Sequence, residues 1–172
     1  MRFQLHCNSP CESNVAYINI IDDNGKHIGN TMIHCYTYIN KCDFAKQMRH
    51  EHKCTRLACM EAAKRISVPG NSAYVGIIEL DYRERGRGYG PKVLQMVPII
   101  CAQFHLPHPD VICAYIAPNQ YRLNLETYQH QGIDALEHHK MYKIMHKTFR
   151  RAGFRRTNIV HPQVVVKRLV KA

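Results

Sequence analysis

No stretch of the sequence approaches the roughly 18 consecutive apolar residues that a membrane-spanning helix requires. The opening MRFQLHCNSPCESN likewise lacks the continuous apolar core and small-residue cleavage site of a secretory signal. Both absences set the expectation of a soluble, cytoplasmic protein with no membrane partner. Long low-complexity tracts are missing, and an apolar content of 45% argues against disorder. The eight cysteines lack framework spacing, so reduced thiols are expected rather than a disulfide scaffold. With 172 residues, one domain over 1–172 is the natural expectation. Acidic residues also run out early. After Glu137 there is none, whereas ten cations follow: Lys140, Lys143, Lys147, Arg150, Arg151, Arg155, Arg156, Lys167, Arg168 and Lys171. In a basic protein of net charge +11, such an end suits a nucleic acid, a polyanionic cofactor or an acidic partner. A solvated basic face accounts for it nearly as often.

Several elements can be read from what is present. Asn24-Gly25 is a strong tight-turn signal between two apolar runs, and it predicts a β-hairpin over residues 15–39. Asp43 as N-cap, followed by Phe44, Met48, Ala58, Ala62 and Ile66 at helical spacings, predicts a helix over about 44–66. SAYVGIIEL, residues 72–80, is short, nearly continuously apolar and suited to a buried strand. PKVLQMVPIICAQF then reads as a helix with Pro91 in its first turn and a kink at Pro98. DVICAYIA is a second buried strand. Residues 134–154 predict a helix that carries Met141, Met145, Phe149 and Ala152 on one face and stops at Gly153. The tail divides at His161-Pro162 into two candidate strands.

Between the buried strand and the following helix, residues 83–90 hold Arg83, Arg85 and Arg87 together with Gly86, Gly88 and Gly90. Glycine lets a backbone approach a ligand closely, and a helix start offers unpaired N–H groups to an anion, so a phosphate site is the reading. Two common phosphate loops are excluded. Gly86-Arg87-Gly88-Tyr89-Gly90 does not give G-x-G-x-x-G, and no Walker sequence occurs. The segment Arg85-Gly86-Arg87-Gly88-Tyr89-Gly90 does resemble motif A of the GNAT superfamily of CoA-dependent N-acyltransferases, Gln/Arg-x-x-Gly-x-Gly/Ala. The order hairpin, strand, motif, helix, strand, helix and a final strand pair follows that family over roughly residues 15–170. One departure is plain: the helix at about 44–66 falls between the hairpin and the strand before the motif, whereas the family usually places its extra helices between its first two strands.

The resemblance implies an α/β fold, a GNAT-like single domain with a mixed central β-sheet flanked by helices. It also implies direct transfer of an acyl group from acetyl-CoA, or another acyl-CoA, to an amine of unknown acceptor. Carried over, Arg85, Gly86, Arg87, Gly88, Tyr89 and Gly90 would cradle the pyrophosphate, with Tyr82 and Pro91 at the margins of the cofactor site. The backbone N–H near Leu80 would polarise the thioester carbonyl. An amine must also lose a proton. Glu79 is the nearest carboxylate on the strand, Asp81 comes second, and an ion pair of Glu79 with Arg83 or Arg85 is an equally good account of Glu79. Many relatives place a general-acid tyrosine five residues before the phenylalanine of "GF", and Phe149 stands there in this chain. Tyr142 is the leading substitute, with Tyr121 and Tyr128 as others.

Two rival readings stand beside this one. His50, His52, Cys54 and Cys59 are zinc-ligand types, but only His50 and Cys54 share a helical face, so no metal is expected. His138-His139 and the His105/His108 pair are poorly spaced, and ordinary surface histidines account for them. The second rival is a catalytically altered relative that binds or modifies nucleic acid through Arg150, Arg151, Arg155 and Arg156, although no RNP, KH or helix-turn-helix signature is present.

Overall fold

The computed structural model describes residues 1–6, 15–36, 71–116, 140–156 and 164–169. Among these residues seven strands form one sheet: β1 (Arg2–Leu5), β2 (Val15–Ile21), β3 (His27–Tyr36), β4 (Ser72–Leu80), β5 (Val111–Tyr115), β6 (Arg155–Arg156) and β7 (Val164–Arg168). Their spatial order is β1-β2-β3-β4-β5-β7-β6. Only the β4–β5 pair is parallel, as a helical crossover demands; all the others are antiparallel. That crossover contains α1 (Tyr89–Gln95) and α2 (Val97–Gln103). Helix α3 (Lys140–Arg151) precedes the β6–β7 pair. The predicted helix at about 44–66 lies outside the described residues.

Each sheet element follows from its side-chain pattern. Along β2, Ala16, Ile18 and Ile20 are buried while Tyr17 is exposed, the alternation of a strand with one face on a core. Their partners on β3 and β4 continue the same face through Ile33, Cys35, Ala73 and Val75, and β5 adds Ile112 and Ala114. Val93, Leu94, Val97, Ile100 and Cys101 of the crossover helices join this cluster, as do Phe149 and Ala152 of α3. Cys35 Sγ on β3 and Cys101 Sγ on α2 meet at 3.5 Å, and both remain thiols, as does Cys113. Burial pushes the Cys113 thiol up to about 12, so it stays protonated and inert at neutral pH.

Local chemistry sets the joints. In the hairpin turn, Gly25 N–H donates to Asp22 O, Gly25 takes φ +83°, and Asp22 Oδ1 accepts from the N–H groups of Asn24 and Lys26. The crossover helix breaks at Met96, two residues before the expected kink, and Pro98 sits in the first turn of α2, where its missing N–H costs nothing. Helix α3 ends as Gly153 suggested. Gly153 N–H donates to Arg150 O and Phe154 N–H to Phe149 O, the paired bonds of a Schellman cap, and the rings of Phe149 and Phe154 pack edge to face with centroids 5.3 Å apart. Strand β1 carries too little pattern to be expected from sequence, since Phe3 is its one buried side chain.

Gly29 fixes how closely β3 approaches the end of β4. A Cβ built there would lie 2.1 Å from Glu79 O and 2.9 Å from the Leu80 Cα. The obstacles are backbone, so they cannot rotate away. Gly29→Ala should therefore destabilise the protein by about 1–3 kcal/mol, read as a lower denaturant midpoint at unchanged m. An unaltered midpoint would mean that the two strands are not in this register.

Candidate functional site

Strand β4 has unequal edges. Along β3 it is paired from Ser72 to Leu80, with Gly76 as the extra residue where Ile33↔Val75 shifts to Met32↔Ile77. Along β5 it is paired only from Ser72 to Val75. Residues 76–80 consequently have one edge with no described strand against it. Asp81 N–H donates to Ile28 O on the β3 side, so by alternation the backbone groups of Leu80 point the opposite way. Leu80 O confirms this, because it accepts Arg85 Nε at 3.0 Å.

The glycine–arginine loop closes that end of the strand. A short 3₁₀ turn over Tyr82–Glu84 leads from Asp81 into Arg85. Gly86 and Gly88 take φ +79° and +85°, conformations that side chains seldom adopt, and a Cβ on either would meet nothing within 4 Å. The loop is therefore open on that side. Gly90 differs: it is buried, and a Cβ there would stand 3.0 Å from the Thr148 methyl, so its smallness serves the packing of α1 on α3. Pro91 is half-buried in the first turn of α1.

The arginines are not equivalent. Arg85 is held on Leu80 O, with its guanidinium 6.0 Å from the Tyr82 ring centroid. Tyr82 itself is 83% exposed, a broad aromatic surface beside the loop. Arg87 Nη1 lies 3.2 Å from Glu84 Oε2, and Lys26 Nζ donates to Glu84 Oε1 at 2.6 Å. Glu84 is buried, and the Lys26 hydrogen bond, assisted by the Arg87 charge, holds its carboxyl below the usual range against the opposing effect of burial. Sequence reasoning missed Glu84. A carboxylate between two arginines reads as solvated, and its second partner lies 58 residues away in the hairpin turn.

The remaining expected site residues fall in different places. Glu79 is exposed near the open end of β4, facing Asn30 across the β3 pairing, and Asp81 is exposed beyond it. Tyr142 is only 1% exposed and belongs to the core, with its ring stacked on His146 at a centroid separation of 5.9 Å. Phe149 closes the α3 cap. Arg150, Arg151 and Arg155 are exposed around that cap. Tyr121, Tyr128, the His50–Cys59 group and His138-His139 lie outside the described residues, and His105 and His108 are exposed. Among the described residues no group of three or more His, Cys, Asp or Glu side chains converges. Nor is any described helix long and apolar enough to cross a membrane.

The Glu84 network should be visible in acid. Because the folded carboxyl titrates below its ordinary value of 4.5, the network stabilises the protein fully above that value and loses its contribution as pH falls through the lower, folded value. Stability measured by urea titration should be flat in this respect from neutral pH to about 5 and should decline below it. In Glu84→Gln that part of the acid decline should disappear. Parallel acid curves for the two proteins would show that the ion pairs do not form.

No protein-family profile and no curated sequence matches the chain. Solved structures do. An apo-form mutant of agmatine N-acetyltransferase superposes with a TM-score of 0.50 at 11% identity, covering 89% of this chain and 76% of that one. An arylalkylamine N-acetyltransferase from Aedes aegypti gives 0.46 at 10% identity, over 88% and 72% of the two chains. An aminoglycoside acetyltransferase, AAC(6')-Ib, in complex with coenzyme A and kanamycin gives 0.44 at 13% identity, over 90% and 67%. With its mixed seven-stranded sheet, half-paired β4 and glycine–arginine loop, the chain has the GNAT fold.

Proposed function

We propose that this protein is an acyl-CoA-dependent N-acyltransferase, with acetyl-CoA as the first donor to test. The half-paired β4, running straight into an open glycine–arginine loop, is the observation that carries the reading. A strand edge with no described strand against it offers amide hydrogen bonds to an extended pantetheine-like chain, and a loop with room above Gly86 and Gly88 accepts a pyrophosphate against its backbone N–H groups. When bound, acyl-CoA supplies an activated thioester.

The chain's own groups then have distinct tasks. The Leu80 N–H, directed away from β3, donates to the thioester oxygen as charge builds on it. Glu79, exposed beside that position, takes the proton from the attacking amine. Arg85 holds the strand end in place through Leu80 O, and Glu84 fixes Arg87 so that the loop keeps its open shape. Tyr82 offers a ring face to a purine. The departing thiolate needs little help, because a thiol of pKa about 8.5 is a fair leaving group. Burial of Tyr142 in the core therefore does not block the chemistry.

Acetyl-CoA at 100 times its Kd should raise stability by about 2.7 kcal/mol, seen as a thermal shift. Gly88→Val should remove the shift, since the side chain occupies the loop's open side and strains a backbone at φ +85°. A wild-type melting curve unmoved by millimolar acetyl-CoA would sink the cofactor reading.

Glu79→Gln should lower kcat by roughly 10²–10⁴-fold with any accepted amine while leaving the acetyl-CoA shift intact. Equal turnover by the two proteins would return Glu79 to a structural role.

A further inference from the structure

Helix α3 displays an array of charge that acyl transfer does not use. Lys140, Lys143, Lys147, Arg150 and Arg151 are all exposed. At 3.6 residues per turn they fall within an arc of about 100° on the helix surface. Tyr142, Phe149 and Ala152 are buried on the other flank and belong to the core, so the cationic arc faces away from the protein. Among the described residues none of the five forms an ion pair. By contrast, Lys26 and Arg87 beside the candidate active site are both matched to Glu84. Lys167 extends the array: its side chain lies over Gly153, with Nζ 3.8 Å from where a Cβ would be.

Like charges at i,i+3 and i,i+4 repel, and no carboxylate among the described residues offsets them. The helix dipole favours Arg150 and Arg151 in the last turn, but its effect fades within one turn and does not account for Lys143 or Lys140. No apolar side chain stands inside the arc; Ile144 lies at its edge. A protein partner would need an apolar anchor at the centre of its footprint. A membrane would need the helix's apolar flank, which the core already occupies. What fits a line of cations at four levels about one turn apart, the last holding both Arg150 and Arg151, along some 16 Å of helix is an anion that repeats along a line.

We infer that the exposed face of α3 binds a nucleic-acid backbone, through phosphate contacts from Lys140, Lys143, Lys147, Arg150 and Arg151 and without reading base sequence. This surface is distinct from the loop at 85–91, and the inference stands whether or not the protein transfers acyl groups.

The test is fluorescence anisotropy with a labelled single-stranded RNA of mixed sequence, titrated at several salt concentrations. Near 0.15 M ionic strength the Kd should be tighter than about 10⁻⁴ M. The slope of log K against log salt should be about −0.7 for each phosphate neutralised. Replacing Lys143, Lys147, Arg150 and Arg151 by glutamine should flatten that slope by about 0.7 per cation removed and weaken all sequences alike. The acetyl-CoA thermal shift of the same variant reports separately on the other site and on folding. Should the fourfold variant fold poorly, Lys143→Gln with Lys147→Gln should give half the loss of slope. The inference is overturned by wild-type binding weaker than about 10⁻⁴ M at that ionic strength, by variants that bind RNA like the wild type, or by displacement of the RNA with equal charge of a polyglutamate peptide.

Discussion

Hydrogen bonding along β4 organises this molecule. Through Val75 the strand is satisfied on both edges and buried on both faces, as a central strand must be; from Gly76 onward, among the described residues, only the β3 edge is matched. The bulge at Gly76 coincides with that change. An extra residue bends and twists a strand, so the same local irregularity that ends the parallel pairing re-aims the last four residues. Gly29 then locks the re-aimed end against β3, and the Asp81 N–H bond to Ile28 O fastens the first residue beyond it.

The loop that follows is shaped by balance rather than by accumulated positive charge. Of the cations that sequence offers as phosphate ligands, Arg87 is matched to a buried carboxylate and Arg85 to a strand carbonyl. Binding in such a site depends chiefly on backbone N–H groups and on loop geometry, with the side chains acting largely as struts. The arrangement on α3 is the reverse, since its cations are exposed and without carboxylate partners among the described residues. One protein thus carries two basic regions with different electrostatic character, which net charge alone could not separate.

How much was legible in the sequence follows from the range of the forces involved. The hairpin and β4 were readable because Asn24-Gly25 and the apolar run at 72–80 state their conformations locally. Gly153 announced its helix stop for the same reason. The break at Met96 was not readable, because a proline in the first turn of a second helix looks the same in sequence as one kinking a single helix. In sequence Gly90 looks like any other loop glycine, and only the packing of α3 reveals the Thr148 contact. Burial of Glu84 depends on Lys26, a partner far away in the chain. Tyr142 lies two helical turns from Phe149 on a similar face, and that same phase puts it in the core.

The Lys26–Glu84 bond also has a consequence for the order of folding. Contacts between residues distant in sequence must await closure of the chain between them, and this one spans 58 positions. The hairpin turn has to be formed and β3 docked on β4 before Glu84 finds its lysine. Until then Glu84 has only its local pairing with Arg87, on a backbone that two glycines leave loose. The loop takes its final shape only once the sheet around it is assembled, so a nascent or partly unfolded chain presents no competing, half-made version of the site.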